Sequence, residues 1–235
     1  MDATTHGWKI FDAGTPVLIY EYGFGPGSAN ALALGAEGGL IVISPPCNVG
    51  DGVFDDLARY GTVRALVAPN AFHHLGLALW RERYPSASVY APAQAIERLQ
   101  RQTGQKGFRP LSEAVSVTGS QIDLAEMPHC RTGETLVCVR TERGPVWYIT
   151  DIVINMPRLP EPAVARWVFK LSHSAPGLKF NNLAGLVMVK DKRALKRWLA
   201  AQIDKAQPRW LIPGHGDVLK LGAAASTLRS LFVAG

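Results

Sequence analysis

Histidines and acids at the ends of apolar runs set the chemical possibilities of this 235-residue chain. His73 and His74 come just after the run 66–68, and His129 follows 122–125 within Met127-Pro128-His129. Asp151 closes the run 147–150, and His215 follows 211–212 within Pro213-Gly214-His215-Gly216. An α/β scaffold assembles a site in this way, with separate strand ends each carrying a reactive side chain into a loop. Imidazoles and a carboxylate from different loops suit a borderline transition metal such as zinc or iron. Taken singly, each position is weak. A strand-end histidine is more often a loop or capping residue, Asp151 could cap the next segment, and adjacent histidines usually point apart. The repeated placement is what gives the set its weight. His173 falls in a loop and His6 in an N-terminal stretch expected to be mobile.

The elements that must position these residues alternate between strand-like and helical patterns. Residues 17–20, 31–34 and 40–44 are short apolar runs divided by glycine-rich turns, an opening β-meander. Helical spacing is expected over 55–60, 75–84 and 93–101, with strands at 63–68 and 88–90. Strand character returns at 121–126, 135–140 and 146–150. Thr141-Glu142-Arg143-Gly144-Pro145 supplies the turn between the last two. A proline-rich stretch follows, and the segment after Asp151 reads as mostly loop. Helices are then expected at 192–206 and 223–232, around a short strand at 210–212. Two packed sheets with helices outside fit this order.

Composition narrows the class. With 47% apolar and 19% charged residues, the chain is long enough to bury a substantial core, and one domain over 1–235 is expected. Cys47, Cys130 and Cys138 lie far apart, which argues for a reducing compartment rather than a disulfide framework. With no secretory leader pattern and no run of about 18 apolar residues, a cytoplasmic protein without membrane partners is expected. The net charge of +6 favours anionic small molecules as substrates or ligands. The cations at 190–197 are read as the solvated face of an amphipathic helix, and a nucleic-acid partner is not expected.

These motifs, in this order, resemble those of the metallo-β-lactamase superfamily over about residues 15 to 220. Pro128-His129-Cys130-Arg131-Thr132-Gly133 is similar to its PGHTxG loop. Ile149-Thr150-Asp151 is similar to the strand ending in the metal-bridging aspartate, and Pro213-Gly214-His215-Gly216 to the closing PGHG. Pro69-Asn70-Ala71-Phe72-His73-His74-Leu75 stands where the family has HxHxDH. His73 replaces its aspartate, and Pro69 and Ala71 replace its first two histidines. Ser44 replaces the aspartate that usually closes the early strands. The resemblance implies an αβ/βα four-layer sandwich with a metal site at one sheet edge. The variant loop looks like that of an uncharacterised branch.

The departures imply a reduced site. The ion that would use the first two loop histidines keeps only His129 and a share of Asp151, too few for zinc. The other keeps His74, Asp151 and His215, with His73 as a fourth. The function expected is therefore a metal-dependent hydrolase holding one zinc or iron ion, acting on a small ester, thioester or lactone. Asp151 would orient the attacking water while ligating, and His129 would serve as general acid or oxyanion donor. Cys130 could reach the metal. The alternative is a metal-free member of the fold that binds a small anionic ligand or acts as a scaffold. Its pocket would be lined by Trp80, Trp147, Trp167, Phe169 and Phe180, with Arg166, Lys170 and Lys179 supplying charge.

Overall fold

In the computed structural model, which describes residues 1–25 and 27–233, alternating apolar residues build two sheets that share a core. The first sheet runs β1 (Lys9–Asp12), β2 (Val17–Phe24), β3 (Gly27–Ala36), β4 (Gly39–Ile43), β5 (Val63–Val67), β6 (Ser88–Ala91) and β7 (Phe108–Pro110), in sequence order. The strands β1 to β4 pair antiparallel, and β4 to β7 pair parallel. The crossovers carry α1 (Asp51–Ala58), α2 (Leu77–Arg83) and α3 (Ala93–Thr103). A short helix, α4 (Val115–Thr118), leads to the second half.

That half contains β8 (Ile122–Glu126), β9 (Thr135–Thr141) and β10 (Gly144–Ile149). A separate ribbon pairs β11 (Val153–Met156) with β12 (Gly177–Phe180). The second sheet is completed by β13 (Trp210–Pro213) and β14 (Leu219–Lys220), in the order β14-β13-β10-β9-β8. Here β10 and β13 are parallel, so both deliver their following loops to the same end. The remaining helices are α5 (Ala163–Leu171), α6 (Asn182–Met188), α7 (Lys192–Ala206) and α8 (Ser226–Val233).

Period-two patterning divides the interior into three apolar layers. Along β4, Leu40 and Val42 face the helices with Trp80, Phe54 and Leu57, while Ile41 and Ile43 face the other sheet. On the second sheet, Val146 and Tyr148 of β10 join that central layer. Trp147 and Ile149 pack outward against Leu195, Leu199 and Ile203 of α7. The result is helices, sheet, sheet, helices: the expected four-layer α/β sandwich. Helix α7 has the bounds its periodicity predicts, with Asp191 accepting from Ala194 N at 2.9 Å as N-cap. Its cationic side chains lie on the face away from the buried Leu195, Leu199 and Ile203 stripe.

Three expectations change. The stretch after Asp151 is not mostly loop but holds the β11–β12 ribbon with α5 and α6. The N-terminal stretch is anchored: Trp8 is buried, its indole N–H donates to Val53 O at 3.0 Å, and His6 contacts the buried Asp56. The five aromatics proposed for one pocket are dispersed. Trp80 lies in the first helix–sheet layer, Trp147 and Phe180 in the second, and the exposed Trp167 and half-buried Phe169 on α5.

Trp80 is fully buried against Trp8, Phe54 and Tyr84, and donates to Pro46 O at 2.9 Å. Replacing it with alanine is expected to cost about 3–5 kcal/mol. A loss below about 1 kcal/mol in urea unfolding would show that this layer tolerates the cavity.

Candidate metal centre

Loops from the ends of β4, β5, β10 and β13 meet at one edge of the two sheets, and their polar side chains form a connected network. His73, Asp151 and His215 each offer a ligand atom, and these atoms lie within 4.8 Å of one another. Both imidazoles approach one carboxylate. His215 Nε2 is 3.0 Å from Asp151 Oδ1, and His73 Nε2 is 3.4 Å from Asp151 Oδ2.

The other ring nitrogens are fixed from behind. His215 Nδ1 is 2.8 Å from the Ser28 carbonyl, which can only accept, so Nδ1 carries the proton. His73 Nδ1 contacts Ser44 Oγ at 2.8 Å, and Ser44 Oγ contacts the Tyr22 hydroxyl at 2.9 Å. Ser44 is buried at a positive φ of 54°, uncommon for a residue other than glycine. Burial, ahead of the Ser44 hydrogen bond, holds the Tyr22 phenol far above its usual range, so it stays protonated.

The His215 loop is held by close backbone packing. A side chain at Gly216, whose φ is +100°, would come within 2.0 Å of Asn155 O, and one at Gly214 within 2.6 Å of Thr150 Cα. Glycine at both positions lets the loop lie flat on the backbone after β10 and along β11. From the first sheet, Asn30 Nδ2 donates to Pro213 O at 2.9 Å and to Gly216 O at 2.8 Å, while its N–H donates to Gly214 O at 2.7 Å. Nothing in the pattern of β3 marks Asn30 as the residue that joins the sheets at this point.

A second carboxylate, also missed from the sequence, lies beneath the first. Glu134 is fully buried and accepts at Oε1 from Thr150 N at 3.0 Å, Asp151 N at 3.0 Å and the Thr150 hydroxyl. Its Oε2 accepts from Asn70 Nδ2 at 2.7 Å, and the same amide donates to Asp151 Oδ2 at 2.6 Å. Asn70 Oδ1 accepts from the N–H groups of Phe72 and His73 at 2.8 and 3.1 Å, forming the turn that presents His73. One amide thus holds two carboxylates and aims a histidine. A usable signal was present: Gly133-Glu134-Thr135 places a carboxylate at the mouth of an apolar strand.

Burial and the Asp151 charge push Glu134 up to about 8, against its four donors. Burial would also raise Asp151, but the His73 charge and the hydrogen bonds from His215 and His73 hold it well below the usual range. For His215, burial acts downward, yet the Asp151 hydrogen bond and charge and the Ser28 carbonyl raise it above the ordinary value.

His74 and His129, expected as ligands, lie outside this group. The turn at Asn70 sends the adjacent rings apart, leaving His74 half-buried with its pKa lowered by burial and by the charges of His73 and Arg98. His129 is exposed in a left-handed backbone conformation, φ 62°, its carbonyl accepting from Lys190 N at 2.6 Å. Cys130 is buried, and burial with the Glu134 charge pushes its thiol up to about 12, the opposite of what a ligand needs.

The donor set fits a small divalent cation. Bonds of about 2.0–2.2 Å in a tetrahedral site put ligand atoms roughly 3.3–3.6 Å apart, close to the spacings around Asp151. Two imidazole Nε2 atoms with committed Nδ1 partners, and a carboxylate supported from behind, are the arrangement such an ion selects.

No family model matches the chain, and no curated protein matches it. Solved structures do. The chain is similar to the metallo-β-lactamase FIM-1 from Pseudomonas aeruginosa in its mono-zinc form, with TM-score 0.60 and 13% identity, covering 99% of this chain and 96% of that one. For DIM-1 metallo-β-lactamase the values are 0.59 and 12%, covering 96% and 97%. For a metallo-β-lactamase from Pontibacter korlensis they are 0.57 and 10%, covering 97% and 100%. The chain has the metallo-β-lactamase fold.

Two outcomes are expected from the buried network. Asn70→Ala removes one donor from each of Glu134 and Asp151 and should cost roughly 3–5 kcal/mol of stability. A cost under about 1 kcal/mol would show that water replaces the amide. Metal-free protein should lose stability as pH rises from about 5 to about 8. Glu134 titrates near 8 when folded against 4.5 ordinarily, and His215 above its ordinary 6.5, so both bind protons more tightly when folded. Thermal melts of metal-free protein across that range check the slope, and Glu134→Gln should reduce it.

Proposed function

We propose that this protein is a metal-dependent hydrolase with one ion, zinc or iron, held by His73, Asp151 and His215. The observation that carries the reading is the convergence of two imidazole Nε2 atoms on one part-buried carboxylate, with both Nδ1 atoms engaged elsewhere. Such an ion supplies Lewis acidity and brings the pKa of a water toward neutrality. Three protein ligands leave a coordination position open, as catalytic rather than structural sites do.

The chain's own residues then have distinct tasks. Ser28 and Ser44 fix the orientations of His215 and His73, so each Nε2 presents its lone pair to the site. Asn70 and the Glu134 network hold Asp151 in place. One carboxylate oxygen faces each histidine, and Asp151 is positioned to accept a proton from water attacking an ester, thioester or lactone carbonyl. Substrates are small molecules, of anionic character in keeping with the net charge of +6. The competing reading is a metal-free protein that binds a small anionic ligand. It draws on one contact, because an imidazolium at His215 satisfies Asp151 without any ion.

Elemental analysis of untagged protein separates the two. The native protein should carry about one zinc or iron, His73→Ala and His215→Ala less than about a tenth of that, and His74→Ala most of it. Hydrolysis of aryl esters, thioesters or lactones should fall at least about a hundredfold with chelator or His215→Ala. Protein that takes up no metal even after incubation with zinc would leave the ligand-binding reading standing.

A further inference from the structure

Helix α5 is out of place on a soluble surface. None of its nine residues is buried; Phe169 is half-buried, and the exposed large apolar residues fall at positions 164, 167, 168 and 171, one stripe at helical spacing. Val164, Trp167 and Leu171 are 78%, 65% and 68% exposed. The end of α5 is tied to the start of α6, where Asn182 Nδ2 donates to Ser172 O at 2.7 Å. Helix α6 adds exposed Leu186 and Val187. Half of the twelve large apolar residues exposed among the described residues therefore lie between 164 and 187. A cluster of this kind marks an interaction surface.

Charge identifies the partner. Between residues 157 and 190 stand Arg158, Arg166, Lys170, Lys179 and Lys190 against Glu161 alone, a net +4 out of the chain's +6. A second copy would bring the same positive charge to the same face and be repelled. A helix with no buried residue also stands proud of the surface. A protein would need a groove to receive it, whereas a lipid surface needs none.

We propose that α5 lies in the surface of an anionic lipid bilayer, with Val164, Trp167, Val168 and Leu171 among the acyl chains and the surrounding cations on the headgroups. This differs from the expectation of no membrane partner, which rested on the lack of a spanning segment. No helix among the described residues is long and apolar enough to cross a membrane, and α5 would only lie on one. The excursion that carries α5 leaves from β11, whose Asn155 N–H donates to His215 O at 3.0 Å.

Flotation of the full chain with vesicles tests this. Binding is expected to phosphatidylcholine vesicles containing about a third phosphatidylglycerol, not to phosphatidylcholine alone, and should weaken as salt screens the charge. Trp167→Glu with Leu171→Glu removes the apolar contact, and Arg166→Glu with Lys170→Glu removes charge while keeping the stripe. All four positions are exposed, and each pair should weaken binding at least about tenfold with an unchanged melting temperature. Wild-type protein that stays free of anionic vesicles at low salt overturns the proposal. So does equal binding by either double variant. A dimer in sedimentation velocity that the Trp167→Glu, Leu171→Glu variant dissociates would assign the stripe to self-association instead.

Discussion

The site depends on keeping the fully buried Glu134 against the part-buried Asp151. Two carboxylates in a protein interior repel each other and are each costly to desolvate, so they persist only with donors on every side. The chain meets this with two backbone N–H groups, a threonine hydroxyl, one asparagine amide and two histidines. The donors come from β10, from the β5 loop and from the β13 loop, so the arrangement also locks those segments to one another. A cation between His73, Asp151 and His215 would offset the negative charge from its open side.

That requirement explains which parts of the site could be read from the sequence. His215 and Asp151 announce themselves because glycine, proline and a strand end frame them, and the framing has a local cause in the close packing of Gly214 and Gly216. The choice between His73 and His74 is not local. It is decided by the turn at Asn70 and by Ser44 on a different strand, 29 positions away. Glu134 stands in the loop just before β9, and its role exists only once Thr150 and Asp151 are folded against it. His129 lies in a recognisable loop whose backbone turns the residue outward.

The fold itself was more legible. Period-two strands and the Leu195, Leu199, Ile203 stripe of α7 report burial that each segment experiences on its own. Helix α5 escaped notice for the complementary reason: it packs too little for periodicity to distinguish its stripe from a buried face, and prolines at 157, 160 and 162 suggest irregular chain. Agreement in fold with metallo-β-lactamases at 10–13% identity fits this division. Layered packing tolerates wholesale replacement of apolar residues, whereas a site can change character through the few side chains at the strand ends.

The Asn30 contacts give the two halves of the chain an unequal relationship. The second half supplies Glu134, Asp151 and His215, yet the loop bearing His215 also accepts three hydrogen bonds from one residue of the first half, and His215 takes its tautomer from Ser28 nearby. The first half supplies His73 but orients it with its own Ser44 and Asn70. One half thus carries the groups that orient its own histidine, while the other takes part of its orientation from the first. The β3–β5 edge therefore carries groups that orient metal-site histidines from both halves of the chain.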